Sequence, residues 1–319
     1  MPQPACSDAE FIELMRTHQS PSKVAAILGL AERKVQARRR RIEIRHNLHL
    51  DVSNPTGQYY KHLQPTQYHA RRHAKIDTGT VLVFSDAHFW PGVRTTAFRA
   101  LLEFCRQLKP SAVICNGDAF DGASISRFPR IGWDSKPSVL NELKACKEGL
   151  ELIEDAAKGA DLIWPLGNHD ARFENRLAQN VGEYEGVQGF RLKDHFPAWA
   201  PCWSLWINDD TVVKHRQKGG IHATRNNTLA AGKTVVTGHL HSLKVTPLTD
   251  YNGDRWGVDT GTLADPSGPQ FTDYLEDNPT DWRSGFVVLT YYKGTLLWPE
   301  VVHVISQSQV TFRGQVLTV

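Results

Sequence analysis

Five short polar groups along the chain have the residue types and spacing to bind divalent metal ions. They are Asp86-Ala87-His88, Asn116-Gly117-Asp118, Gly167-Asn168-His169-Asp170, His215 and Gly238-His239-Leu240-His241. Carboxylate, imidazole and amide oxygen together suit borderline divalent cations such as manganese, iron or zinc. Alternate residues of an extended chain share a side, so Asp86 with His88, or His239 with His241, can converge on one point. No Gly-x-Ser-x-Gly motif is present.

Each group follows a short apolar run, which is what must hold it in place. Val81–Ser85, Ala112–Cys115 and Leu162–Leu166 read as buried strands. Helical segments near Thr95–Leu108 and Pro137–Lys158 lie between them, so the body reads as an α/β sheet covered by helices. Val212–Lys214 and Thr234–Thr237 are further strands. Lys244 to Leu317, rich in Val, Thr and Tyr and broken by Asn-Gly and Lys-Gly, completes the body as hairpins. Polar groups at the carboxyl ends of such strands lie where open α/β sheets form their ligand crevices.

In order and spacing these groups resemble the calcineurin-like metallophosphoesterase superfamily. The resemblance runs from Val81 to about Ser242, and the C-terminal strands suit the second half of that fold. It implies a sheet sandwich flanked by helices and two divalent cations per chain, with manganese first and iron, zinc, magnesium or nickel as alternatives. Residue by residue it implies Asp86, His88 and His241 on one metal, Asn168, His215 and His239 on the other, and Asp118 bridging both. His169 would be the catalytic histidine and Asp121 the carboxylate that orients it, with Asp170 structural. One position departs: relatives commonly have glycine after the isolated histidine, whereas Arg216 follows His215. His222 is therefore a reserve ligand, although its position reads as the opening of a helix while strand Thr211–Lys214 delivers His215. The chemistry is coherent, because two cations about 3.5–4 Å apart clamp a phosphate and acidify a water. A protonated histidine can then give its proton to the leaving oxygen.

Ser/Thr protein phosphatases of this superfamily carry arginines in two of these motifs, where this chain has Gly122 and Leu166. That argues against a phosphoprotein substrate, with Arg127, Arg130, Arg172 and Arg176 as the cations available instead. The segment Asp121–Lys136 carries Phe128 and Trp133, which would either cap the site and stack a base or anchor the loop to the core.

Ahead of the body lies a basic arm. Residues 1–75 hold 13 Lys+Arg against 6 Asp+Glu, while the remainder is mildly acidic, so the arm is suited to a polyanion. Ser7 to Glu10 form a capping box before Phe11, Leu14 and Met15. Ser20-Pro21 starts a second helix with Val24, Ala25, Ile27 and Leu28 on its inner face, and Gly29 ends it. A third helix from about Ala31 turns Val35 inward. Lys23–Arg39 resembles the helix-turn-helix of small bacterial and phage DNA-binding domains, with Arg33, Lys34, Arg38, Arg39, Arg40 and Arg41 as nucleic-acid contacts. The expected domains are therefore a helix-turn-helix at 1–46, a linker at 47–79 and the catalytic body at 80–319.

The combination looks like that of phage-encoded phosphoesterases and implies a phosphodiesterase acting on DNA. Alternatives are a hydrolase of small phosphoesters or cyclic nucleotides that the arm only localises, and a DNA-binding regulator with a scaffold body. A homo-oligomer or a nuclease partner subunit stays open. An apolar content of 40% and a charged content of 22% describe a globular chain. No apolar run approaches the roughly 20 residues of a membrane span. The first residues do not read as a secretory signal, and five cysteines without a C-x-x-C pair favour a reducing cytoplasm, in a bacterial host or phage-infected cell.

Overall fold

The computed structural model describes residues 6–46, 48, 50, 52, 70–128, 133, 136–271, 275 and 278–319. The chain forms two compact units, residues 1–67 and 68–319. No helix among the described residues is long and apolar enough to cross a membrane. All five cysteines are unpaired.

The first unit holds helices α1 (Asp8–His18), α2 (Pro21–Leu28) and α3 (Glu32–His46). The Ser7 hydroxyl accepts from the Glu10 amide, and the Glu10 carboxylate accepts from the Ser7 amide, satisfying two of the free donors at the start of α1. Pro21 occupies the first turn of α2, and Gly29 ends that helix in the left-handed region. Phe11, Met15, Val24, Ala25, Val35 and Ile42 make a small core, joined by Leu50. Ile27, expected on the inner face of α2, is instead 53% exposed. Val24, Ala25 and Leu28 already fill the stripe that an eight-residue helix can turn toward its neighbours.

The second unit is built on two sheets. Strand β1 (Arg72–Ala74) lies in the stretch expected to be linker, where it pairs in parallel with β6 (Leu205–Ile207). The chain continues through β2 (Gly79–Phe84), helix α4 (Thr96–Leu108), β3 (Ala112–Cys115), helix α5 (Val139–Ala156), β4 (Asp161–Pro165), helix α6 (Asp170–Asn180), the short α7 (Leu192–His195) and β5 (Ala200–Cys202). After β6 come β7 (Thr211–Val213), helix α8 (Ala223–Ala231), β8 (Thr234–Thr237), β9 (Lys244–Asp250) and β10 (Gly253–Asp259). The last five are β11 (Gly285–Tyr292), β12 (Thr295–Leu296), β13 (Glu300–Ser306), β14 (Gln309–Phe312) and β15 (Gln315–Thr318). One sheet has the order β1-β6-β7-β8-β10-β9 and the other β15-β14-β13-β11-β2-β3-β4-β5, with β12 beside β11.

Strand alternation divides the apolar residues into two layers. Val81, Val83, Ile114, Ile163, Val287 and Leu289 face inward and pack with Leu205, Val213, Val236 and Val258 of the other sheet. Leu82, Phe84, Val113, Cys115 and Trp164 face the opposite way and pack with Leu101 of α4 and Leu150 of α5. Burial on both faces explains why β2 and β3 read as continuous apolar runs. Pairing is parallel from β2 through β5 and from β7 through β8 to β10, so the ends of these strands gather at one rim.

Candidate active site

Every polar group singled out in the body follows the carboxyl end of one of these parallel strands. Asp86 and His88 follow β2, Asn116 to Asp118 follow β3, and Asn168 to Asp170 follow β4. His215 follows β7, and His239 and His241 follow β8. Backbone bonds tie the loops together: the Asp86 amide donates to the Gly117 carbonyl and the His88 amide to the Asp118 carbonyl.

The loops are strained where the polar side chains are presented. Asp86, His88, Asp118, His239 and His241 all have φ between +38° and +73°. Left-handed backbone in a residue with a Cβ costs on the order of 1–3 kcal/mol, and such strain collects at functional sites. Two glycines let the loops approach one another. A Cβ on Gly117, itself at φ +87°, would lie 2.5 Å from His215 Nδ1, and one on Gly167 would overlap the Asp118 carboxylate.

Three groups of side chains have ligand atoms within 4.8 Å of one another: Asp86, His88 and His241; Asp118, His215 and His239; and His88, Asp121 and His169. His241 Nε2 lies 3.0 Å from Asp86 Oδ1, and His215 Nε2 lies 3.0 Å from Asp118 Oδ2. His88 Nε2, His241 Nδ1 and Asn168 Oδ1 are buried without hydrogen-bond partners. Buried polar atoms are almost always paired, so orphans beside two buried carboxylates are what a cation would satisfy. Charge points the same way. Burial pushes the His215 imidazole down, but Asp118 and Asp86 lift it to about 10. Burial likewise opposes ionisation of Asp86, and His241 and His215 outweigh it, holding Asp86 at about 2. Carboxylates that demand positive charge and imidazoles with free nitrogens fit divalent metal ions.

The ring nitrogens that point away from the centre are anchored. His88 Nδ1 and His169 Nδ1 each lie 2.8 Å from Asp121 Oδ1, and His215 Nδ1 donates to the Asn116 carbonyl at 2.8 Å. Such partners fix ring orientation and tautomer. Burial pushes the Asp121 carboxyl up, but its bonds to His169 and His88 hold it well below the usual carboxylate range. Burial also works against the His169 cation, yet Asp118 and Asp121 raise its pKa. Arg172 Nη2 donates to His169 Nε2 at 2.9 Å. A guanidinium only donates, so in this arrangement Nε2 accepts and Nδ1 carries the proton.

Asp170 is a structural carboxylate. Its Oδ2 accepts from the Asp118 and Gly167 amides and from Trp164 Nε1, and its Oδ1 accepts from the Phe120 amide. Burial and the Asp118 charge nevertheless lift it to about 6. Asp259, at the end of β10, plays the matching part for the His241 loop, accepting from the Ser242, Leu243 and Gly261 amides.

His222 sits exposed at the start of α8 and belongs to none of the three groups. Among the arginines considered, Arg172 touches the centre and Arg176 is exposed, while Arg130 lies outside the described residues. Phe128 is 62% exposed and Trp133 fully so, which removes the reading in which they anchor their loop to the core. On α3, Arg33, Lys34, Arg40 and Arg41 are exposed. Arg38 pairs with Asp8 and lies over the Phe11 ring, and Arg39 pairs with Glu43.

The sequence reading missed Glu142, Phe271 and Trp282. Glu142 is a buried residue of α5 that accepts from the Ala123 amide, just beyond Asp121. Phe271 and Trp282 stand against His241, with ring centroids 5.6 and 4.3 Å away. Only the placement of a carboxylate on the inward stripe of α5 could have flagged Glu142. Nothing in the spacing marks the two aromatics.

A two-sheet sandwich with strained carboxylate and histidine loops at one rim defines a metal-dependent hydrolase. The chain belongs to the calcineurin-like phosphoesterase family, whose sequence model matches residues 79–243. It is a metal-dependent phosphoesterase. No curated protein matches it in sequence. Among solved structures it is similar to Vps29 from Entamoeba histolytica in complex with zinc, at 14% identity and a TM-score of 0.39 over 75% of this chain and 98% of that one. A novel archaeal phosphodiesterase gives 16% and 0.37 over 70% and 99%. The phosphoesterase Yfce from E. coli gives 18% and 0.33 over 69% and 97%.

Proposed function

We propose that the protein hydrolyses phosphodiester bonds in DNA at a centre of two divalent cations, with manganese as the first choice. Asp86, His88 and His241 would hold one ion, Asn168, His215 and His239 the other, and Asp118 both. The observation that carries this reading is the set of buried, unpartnered donor atoms on His88, His241 and Asn168 beside the Asp86 and Asp118 carboxylates. When bound, two cations would neutralise charge on the phosphate and acidify a water.

The chain's own residues supply the rest. Asp121 holds the His169 Nδ1–H and orients the ring, so that once Nε2 is released from Arg172 and takes up a second proton, the imidazolium can deliver that proton. Water attacks phosphorus and loses one proton to solvent, the P–O bond opposite it breaks, and the leaving oxygen takes the proton from the imidazolium Nε2. The exposed Phe128 and Trp133 offer ring faces to an unpaired base. The arm's share is a helix-turn-helix whose α3 presents Arg33, Lys34, Arg40 and Arg41 to phosphates, in a phage-type arrangement.

The test is hydrolysis of linear and nicked DNA beside a chromogenic diester and monoester, with and without manganese. Manganese-dependent cleavage of DNA and of the diester is expected. Turnover confined to the monoester would overturn the diesterase reading, and turnover of the chromogenic diester without DNA cleavage would overturn the nuclease reading.

A further inference from the structure

Arg172 is a half-buried cation at the centre with no carboxylate partner among the described residues. Its Nη2 donates to His169 Nε2 at 2.9 Å and its Nη1 to the Asp121 carbonyl at 3.1 Å. Both acceptors are uncharged in this arrangement, and they use only part of a guanidinium that offers five N–H donors. Its charge is met by no direct ion pair among the described residues, which leaves donors for an incoming anion. The position follows from the helix. His169 caps α6, Arg172 lies one turn further on, and helical side chains lean back toward the N-terminus. Gly122 lies beside its stem, where a Cβ would be 3.4 Å from Arg172 Cδ.

We propose that Arg172 is the residue that recognises the substrate's phosphate. Its guanidinium leaves His169 Nε2 and takes the non-bridging oxygens of the phosphodiester. An anionic, forked acceptor matches a guanidinium better than an imidazole nitrogen does, since it brings an opposite charge and takes two parallel N–H bonds in place of one. The same movement frees the His169 nitrogen that faces the leaving group. The proposal rests on the phosphodiesterase reading and names the group that selects its substrate.

The experiment compares the full-length protein with Arg172→Ala and Arg172→Lys, all loaded with manganese. Two quantities are read: KM for a chromogenic diester, and the affinity for inorganic phosphate by calorimetry. Arg172→Ala should raise KM and weaken phosphate binding in parallel, by roughly 10–100-fold, the loss typical of a hydrogen bond to a charged group. Arg172→Lys should recover part of both, because it restores the charge without the fork. Metal content by elemental analysis should stay at the wild-type value. A fall in kcat with KM and phosphate affinity unchanged would overturn the proposal, since Arg172 would then only orient His169. Unchanged values throughout would overturn it as well. Should Arg172→Ala not fold, Arg172→Lys decides, and wild-type phosphate affinity in that variant counts against the fork. If the wild-type protein hydrolyses no diester, the phosphodiesterase reading fails, while the calorimetric comparison still tests Arg172.

Discussion

The two ends of the sheet body are built in opposite ways. At the amino ends of the parallel strands lies a groove of about 840 Å³, lined by Arg72, Lys75, Ile76, Thr78, Ser111 and Asp161 among others. None of its lining residues has left-handed backbone or belongs to a group able to hold a metal ion. At the carboxyl ends the loops close on one another, five residues with side chains sit at positive φ, and buried nitrogens lack partners. What sets the rim apart is that the two features coincide there: His88 and His241 combine left-handed backbone with a buried unpartnered nitrogen, whereas Arg72 in the groove has an unpartnered Nε on ordinary strand backbone.

The sharpest way to break this contrast is to change one residue at each end. Asp118 lies in one candidate metal group and also accepts from the His169 amide at 2.8 Å. Asp118→Asn should abolish turnover of a chromogenic diester and lower the metal content of the purified protein. Ser111→Ala, in the groove, should leave both within about twofold, as for ordinary substitutions away from special features. Full activity with two ions bound in the Asp118 variant would show that the strained rim is not the centre.

A smaller loss is expected at His169. Its replacement by Ala should leave the metals bound and slow the reaction by about 10²–10⁴-fold, the usual worth of a general acid. The loss should shrink for a substrate whose leaving group needs no proton. Equal losses for good and poor leaving groups would remove His169 from that role.

A third test sharpens the contrast through stability. Glu142 is wholly buried behind Asp121, and burial, aided by the Asp121 charge, pushes its carboxyl to about 7 from an ordinary 4.5. Between those values the folded protein keeps a proton that the unfolded chain has lost. The stabilisation is therefore complete below pH 4.5 and is lost as the pH rises through 7. Glu142→Gln still accepts from the Ala123 amide but does not titrate. Its melting temperature should overtake that of the wild type above neutrality, with a stability difference that grows by up to about 3 kcal/mol between acid and alkaline pH. Parallel melting curves for the two proteins across that range would refute this account.

What could be read from the sequence divides along physical lines. The β2, β3, β4 and β8 runs were legible because burial on both faces leaves unbroken apolar stretches, and the ligand groups stand directly after them. Strands β1, β5 and β6 are three residues each, too short to show a period, and unlike the equally short β7 they have no ligand group directly after them; β1 falls in the stretch that reads as linker. Caps announced α1 and α2, since Ser7, Ser20 and Gly29 act locally. Ile27 misled because an apolar residue fits the helical pattern whether or not a neighbour covers it. Arg172 was visible only as one of four arginines, and its contact with His169 comes from the turn of α6. Phe271 and Trp282 reach the site from a long connection between β10 and β11, and no local pattern encodes that.

The weakest expected effect concerns the arm, where satisfied and unsatisfied cations lie on one helix. Asp8 accepts from Arg38 at 3.0 Å and from Arg45 at 2.8 Å, so these two charges are spent within the unit. Arg33 and Arg40 are exposed and have no such partner among the described residues. If α3 lies against DNA, each lost phosphate contact should lower the slope of log affinity against log salt by about one unit. Arg33→Ala and Arg40→Ala should therefore flatten the salt dependence of DNA binding and raise KM on DNA. Hydrolysis of a chromogenic diester should be unchanged, because that substrate touches only the body. Arg38→Ala should act differently. It removes the Asp8 pair and the cover over Phe11, so it should lower the melting temperature of the helical unit and alter the slope little. Should the Arg33, Arg40 double variant bind and cleave DNA like the wild type at low and at physiological salt, the free cations do not meet the substrate. The basic face of α3 would then be a solvated surface, and the rim of the sheet body would select its ester alone.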